Sequence, residues 1–145
     1  MKVIDTYLAE LIEDVHITKY GKYYFFKNLI ISEIDEGVIY NWEAAQEIID
    51  VIYEYYGENP SVSYISNRIN KYSFVPTDWI KFYKSRHNFL NNYAVVTYSN
   101  KGLSNALLEK LFLKTKVQHF TKLHAAIDWV YGINSSINPI QIYNK

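Results

Sequence analysis

Large apolar side chains occur along this chain in short blocks, and within each block they recur either every second residue or every third to fourth. Tyr23-Tyr24-Phe25-Phe26 and Leu29-Ile30-Ile31-Ser32-Glu33-Ile34 are aromatic and β-branched runs on either side of Lys27-Asn28. Two such runs about a two-residue, Asn-containing turn predict a β-hairpin. Asn41 then precedes a stretch from Trp42 to Tyr56 in which Ala45, Ile48, Ile49, Ile52 and Tyr56 form a helical stripe. Gly57 supplies its left-handed stop. Ser61 to Ser66 reads as a strand after the turn Glu58-Asn59-Pro60, and a polar loop from Asn67 to Pro76 follows it. A short helix runs from Thr77 to the neighbourhood of Arg86 through Trp79, Phe82 and Tyr83, and Tyr93 to Tyr98 is the next strand.

Ser99 or Asn100 caps a further helix, whose Leu103, Leu107, Leu108 and Leu111 are expected to face inward. Val117 to Phe120 is a last short strand. Thr121 caps a helix carrying Leu123, Ala126, Ile127 and Val130, and Gly132 ends it, leaving an extended tail at 133–145. Residues 1–19 read two ways: Leu8, Leu11, Ile12 and Val15 fit a helical stripe, whereas Val15-His16-Ile17-Thr18 fits an extended segment. The whole pattern predicts an α/β fold in which an N-terminal hairpin feeds successive βα units. These build a mostly parallel mixed sheet of about five strands with about four helices. The core covers 20–131 in a single domain.

Composition narrows the picture. A chain of 145 residues buries roughly 68–70% of the surface that its unfolded form exposes, so neither metal nor disulfide is needed for stability. It has no cysteine, which excludes disulfides, thiolate chemistry and sulfur-built zinc sites and fits a reducing compartment. The start, Met1-Lys2-Val3-Ile4-Asp5 and then Glu10 and Glu13, lacks the unbroken apolar run of a signal peptide. No apolar stretch approaches the roughly 20 residues of a membrane span. The expectation is a cytoplasmic protein without membrane insertion. Fifteen basic and fifteen acidic residues cancel, which argues against a general nucleic-acid binder and leaves self-association unopposed. Fifteen tyrosines suit interfaces and pocket walls, although the codon bias of an AT-rich genome accounts for the same excess.

The segment Ile31-Ser32-Glu33-Ile34-Asp35-Glu36-Gly37, then Asn41-Trp42-Glu43, resembles the second strand and first helix entry of bacterial STAS-like proteins, which have the SpoIIAA-like fold. Ile65-Ser66-Asn67-Arg68-Ile69-Asn70 sits where that family leaves its next strand, and the resemblance spans Tyr20 to Tyr131. It implies successive strands lying side by side as a βα superhelix, and a role in protein–protein regulation. Lipid-carrier domains of the SEC14 type share the fold and suggest a second role, as carrier or sensor of a small apolar or anionic ligand. The aromatic loop around Tyr72, Phe74 and Trp79 suits that role. Some family members carry a phosphorylatable serine at a helix N-terminus. Here the matching turn is Pro76-Thr77-Asp78-Trp79. Thr77 is its sole hydroxyl, Asp78 would repel a phosphate, and Thr77 is read as a plain helix cap.

No catalytic constellation stands out, so a non-enzymatic module without a cofactor is expected. His119 and His124 lie across a strand-to-helix junction, which does not put both on one helical face, and with His16 and His87 they are read as surface residues rather than metal ligands. Glu33, Asp35 and Glu36 are read as solvated charges at a strand end, although Glu33 and Asp35 share a side. Ligands of parallel α/β sheets bind beyond the carboxyl ends of the strands. Those ends supply Asn67, Arg68 and Asn70, then Ser99, Asn100 and Lys101, then Thr121 and Lys122. Arg68 and Lys101, with helix N-terminal amides, form a candidate anion site. The aromatic hairpin strand Tyr23 to Phe26, left at a sheet edge, suggests a homodimer that covers it, with the segment around Leu8, Leu11 and Ile12 as the intramolecular alternative. A regulatory protein partner is the other expected contact.

Overall fold

The computed structural model describes residues 1–134, with the side chains of Asn100, Lys101, Ile133 and Asn134 outside the description. Two short 3-10 turns, Val3–Asp5 and Tyr7–Leu11, lead into β1 (Asp14–Thr18), β2 (Gly21–Phe26), β3 (Leu29–Ile34) and β4 (Ile39–Tyr40). Then come α1 (Trp42–Tyr56), β5 (Val62–Arg68), β6 (Ser73–Phe74), α2 (Asp78–Lys84) and β7 (Leu90–Thr97). The described chain closes with α3 (Asn100–Lys110), β8 (Lys116–Phe120) and α4 (Leu123–Asn134).

Among the described residues six strands form one sheet in the order β1-β2-β3-β5-β7-β8, while β4 and β6 pair as a small parallel ribbon beside it. The first three strands are antiparallel neighbours, and β3, β5, β7 and β8 run parallel. Each crossover therefore steps one strand further along the sheet, which is the superhelical order that the sequence predicts. The hairpin turns at Lys27-Asn28, with Asn28 at φ 59° and Phe26 opposite Leu29. Asn tolerates that left-handed conformation better than most residues. The Asn41 side chain accepts from the amide of Ala44 at 3.1 Å and starts α1, and Gly57 at φ 95° ends it.

Strand alternation splits the core in two. On one face Tyr23, Phe25 and Ile30 pack against Ile48, Ile49 and Ile52 of α1 and Phe82 of α2, and Tyr93 and Val95 meet Ala106 of α3. On the other, Tyr24, Phe26, Leu29, Ile31 and Ile65 pack against Leu123, Ala126, Ile127 and Val130 of α4 and against Val3 and Leu8 of the N-terminal turns.

Several expectations are corrected. The sheet has a sixth strand, β1, because the extended reading of Val15–Thr18 wins once Gly21–Phe26 offers it a partner. Residues Tyr7–Leu11 form only a 3-10 turn, yet Leu8 is fully buried and Leu11 and Ile12 lie against the same core. The N-terminal segment thus covers the hairpin from within the chain. Tyr23, Tyr24, Phe25 and Phe26 are all buried, and β1, not β2, is the sheet edge. That removes the reason for placing a symmetry mate there. β5 continues two residues past Ser66, so Asn67 and Arg68 lie within a strand, and the loop behind them contains β6. Thr77 has helical backbone angles and makes no side-chain cap bond. Ser99 does cap α3, accepting from the amide of Gly102 at 3.2 Å. Leu103, Leu107, Leu108 and Leu111, however, all face solvent. The inward stripe is Gly102, Ala106 and Glu109, and a Cβ at Gly102 would stand 3.0 Å from Cβ of Thr97, so α3 rests on the sheet through small residues. α4 runs past Gly132 to Asn134, and the rest of the tail lies outside the described residues.

Candidate functional site

The polar residues grouped at the strand ends are divided by the pleat, because neighbours on a strand point to opposite faces. Asn67 points toward the N-terminal turns. Its amide donates to Oε2 of Glu33 at 3.0 Å and to the carbonyl of Met1 at 2.8 Å, and its Oδ1 accepts from the Tyr98 hydroxyl at 2.8 Å. Glu33 is buried rather than solvated, because Oε2 also accepts the amide of Val3 at 2.8 Å. This network ties the N-terminus over the hairpin and reads as structural. Asn70 braces its loop by donating to the carbonyl of Ile34 at 3.0 Å. Ser99, Thr77, Thr121 and Lys122 are exposed, and Asn100 and Lys101 open α3.

Arg68 takes the other face, and a different site forms around it. Between the sheet and α1, α2 and the β4–β6 ribbon lies a cavity of about 110 Å³. Its floor is Ser32 and Ile34 of β3, Tyr64, Ser66 and Arg68 of β5 and Tyr93 of β7. Its far wall is Trp42, Ala45, Ile48 and Ile49 of α1 with Trp79 and Phe82 of α2, and Tyr40, Tyr72 and Phe74 close one side. The aromatic loop that the sequence offers as a carrier feature therefore does line a cavity. Tyr64 and Tyr93 stack with ring centroids 5.5 Å apart, and Trp79 meets Tyr93 edge-on at 5.3 Å.

At one end of this apolar space sits a buried ion pair. Arg68 Nη2 donates to Oε1 of Glu109 on α3, and their side chains are 8% and 2% exposed. Arg68 Nε donates to Ser66 Oγ at 3.0 Å, and Trp79 Nε1 donates to Glu109 Oε2 at 3.2 Å. The guanidinium carbon lies 4.6 Å from the centre of the Phe74 ring and 5.8 Å from that of Tyr72. Arg68 Nη1 is buried without a hydrogen-bond partner. Burial opposes the Arg68 charge, but the surrounding Tyr72, Glu109 and Tyr93 outweigh it and hold its pKa well above the ordinary value. Burial also pushes the phenols of Tyr40, Tyr64 and Tyr93 well above their usual range, so they stay neutral. The set offers hydrogen bonding and apolar contact rather than an ionised nucleophile. Among the described residues no three His, Asp or Glu come together as a metal site.

No protein-family model matches the chain, and a search of curated proteins finds no match. Among solved structures, an uncharacterized protein from the DUF3478 family, from Shewanella loihica PV-4, described as having a SpoIIAA-like fold, superposes with a TM-score of 0.53. The match covers 81% of this chain and 90% of that one at 10% sequence identity. The fold is SpoIIAA-like. At that identity the likeness carries architecture alone, and the chemistry of this SpoIIAA-like domain has to be argued from its own residues. Sequence reasoning found Arg68 but missed Glu109, because it placed the α3 leucines inward. The available signal was the small pair Gly102 and Ala106 on the same helical face as Glu109.

Proposed function

We propose that this SpoIIAA-like domain is a non-enzymatic regulatory module that binds a small, mostly apolar ligand between its sheet and the α1–α2 layer. The observation that supports this reading is the aromatic-walled cavity with Arg68 and Glu109 buried at its end. Binding sites of this kind are concave and mostly apolar, with a few placed polar groups that fix orientation. Among the described residues no helix is long and apolar enough to cross a membrane, and a cytoplasmic setting belongs to the reading because the chain has no cysteine. Native mass spectrometry of the protein isolated from its source cell tests it. A co-purifying small molecule that is lost in Ala45→Trp, which fills the cavity from α1, is the expected result. A ligand retained by a folded Ala45→Trp variant would place binding elsewhere and overturn the reading.

One observation favours a second reading, a protein contact. α3 turns Leu103, Leu107, Leu108 and Leu111 outward, with the last 75% exposed, and clustered apolar surface of this kind marks interaction sites. The zero net charge leaves a second copy of the chain unopposed as the occupant. Light scattering at micromolar concentration decides this. A mass of 17.1 kDa refutes the homodimer, whereas a doubled mass that returns to the monomer value in Leu107→Lys/Leu111→Lys supports it.

A further inference from the structure

The charged groups around the cavity restrict what can occupy it. Among the described residues they are one cation, Arg68, and two carboxylates, Glu109 and Asp78, of which Asp78 is partly shared with exposed Lys81 at 3.3 Å. Arg68 is therefore already neutralised, by a carboxylate that is only 2% exposed. A second anion entering here would be buried without a counter-charge, which is costly. A cation would meet the guanidinium. The polar group left over is Arg68 Nη1, which is buried and has no acceptor, on a side chain that is only 8% exposed. A buried donor of this kind is destabilising until an acceptor reaches it.

Taking the cavity as the binding site, we infer that its ligand is an uncharged, flat apolar molecule bearing one hydrogen-bond acceptor, such as a carbonyl, received by the Arg68 head. The acceptor completes the guanidinium without altering the charge balance of the pair. The body lies among Tyr64, Trp79, Phe82 and Ile49, where Tyr64 is stacked on Tyr93 and Trp79 has edge-on neighbours, so that little reorganisation is needed. The volume of about 110 Å³ is comparable with the roughly 150 Å³ cavities that accept benzene. The enclosed part of the ligand is thus one ring with its acceptor. Of the apolar and anionic ligands expected from sequence, this inference takes the apolar one.

Four probes of nearly equal size separate the possibilities by calorimetry or saturation-transfer NMR: acetophenone, ethylbenzene, benzoate and benzylammonium. Acetophenone is expected to bind about tenfold more tightly than ethylbenzene, the margin of one charge-assisted hydrogen bond, and the two ions more weakly than either. The double variant Arg68→Met/Glu109→Met removes the pair together, so that neither charge is left buried alone. In it, the preference for acetophenone over ethylbenzene should be lost or reversed, because its carbonyl would be buried without a donor. Preference for benzoate would overturn the inference in favour of an anion site, and preference for benzylammonium in favour of an aromatic cation site. If acetophenone and ethylbenzene bind equally to the wild type, the acceptor assignment fails while the cavity reading stands. If none of the four binds, both fail.

Discussion

Replacing Arg68 by Met keeps most of the side-chain volume and removes the charge, which isolates what the buried pair does for the fold. Glu109, 2% exposed on the inner face of α3, would then keep Trp79 Nε1 as a donor but lose its counter-ion. Phe74 would lose its cation contact and Ser66 Oγ a donor. Removing one partner of a buried pair typically costs about 3–5 kcal/mol, a large share of a total stability of roughly 5–15 kcal/mol. At about 2–4 °C per kcal/mol for a chain of this size, the melting temperature should fall by about 6–20 °C. The double variant Arg68→Met/Glu109→Met has no orphaned charge and should recover most of that loss, since apolar replacements of buried pairs are often neutral or better. Urea unfolding followed by tryptophan fluorescence and circular dichroism measures both, and the cycle completed with Glu109→Met gives the coupling directly. A single Arg68→Met variant within about 1 kcal/mol of the wild type, below the scale of a broken buried pair, would show that Glu109 is not held by Arg68. The account of the cavity's charge balance would then be refuted.

Two further predictions concern the α1 stripe and the histidines. Ile49→Asp places a carboxylate on the buried stripe of α1, where Ile49 is 4% exposed. Desolvation of several kcal/mol should leave the variant largely unfolded by circular dichroism, and a wild-type melt would refute the α1 packing. His87 is half-buried among Tyr53, Phe82, Phe89 and Trp42, with Nδ1 2.9 Å from the Tyr53 hydroxyl, and burial lowers its pKa although Asp50 opposes the shift. His119 is lowered too, by burial and then by Lys110 and Arg68. A depressed histidine pKa means that the unfolded chain binds the proton first. Stability should therefore hold above the unfolded value of about 6.5 and fall as the pH drops through the folded values. His87→Phe should remove part of that slope, and an NMR titration placing His87 at or above the unfolded value would refute the prediction.

Much of the architecture was legible because local and tertiary preferences agree. Asn41, the stripe Ile48, Ile49 and Ile52, and Gly57 specify the same helix that packing selects, and Leu123, Ala126, Ile127 and Val130 lie on the buried side of α4 as their spacing indicates. Legibility failed where tertiary contact overrode local pattern. Val15–Thr18 is a strand because β2 offers it an edge, and the 3-10 turn at Tyr7–Leu11 is held by Leu8 in a core built from residues far along the chain. The tyrosine excess was ambiguous for the same reason. Tyr40, Tyr64, Tyr72 and Tyr93 lie scattered in sequence and become a wall only when β4, β5, β6 and β7 assemble.

The site was half legible, and α3 shows why. Reading leucines at helical spacing as a buried face assumes that the space beneath a helix is empty and needs filling. Under α3 it is already filled: Thr97 stands against Gly102, while Tyr93 and Trp79 occupy the volume beside Glu109. Only small residues fit there, so Gly102 and Ala106 face the sheet and the leucines are left outside. Glu109 is one turn beyond Ala106 on that face, and no local rule favours burying a carboxylate. What permits it is Arg68, 41 residues earlier, which stands inside because β5 continues past Ser66. Each buried charge is thus the condition for the other, and neither is interpretable alone in the sequence. The same dependence makes the cavity's polar end a property of two elements, β5 and α3, so a change that tilts α3 should alter binding of the proposed ligand without touching a residue of the apolar wall.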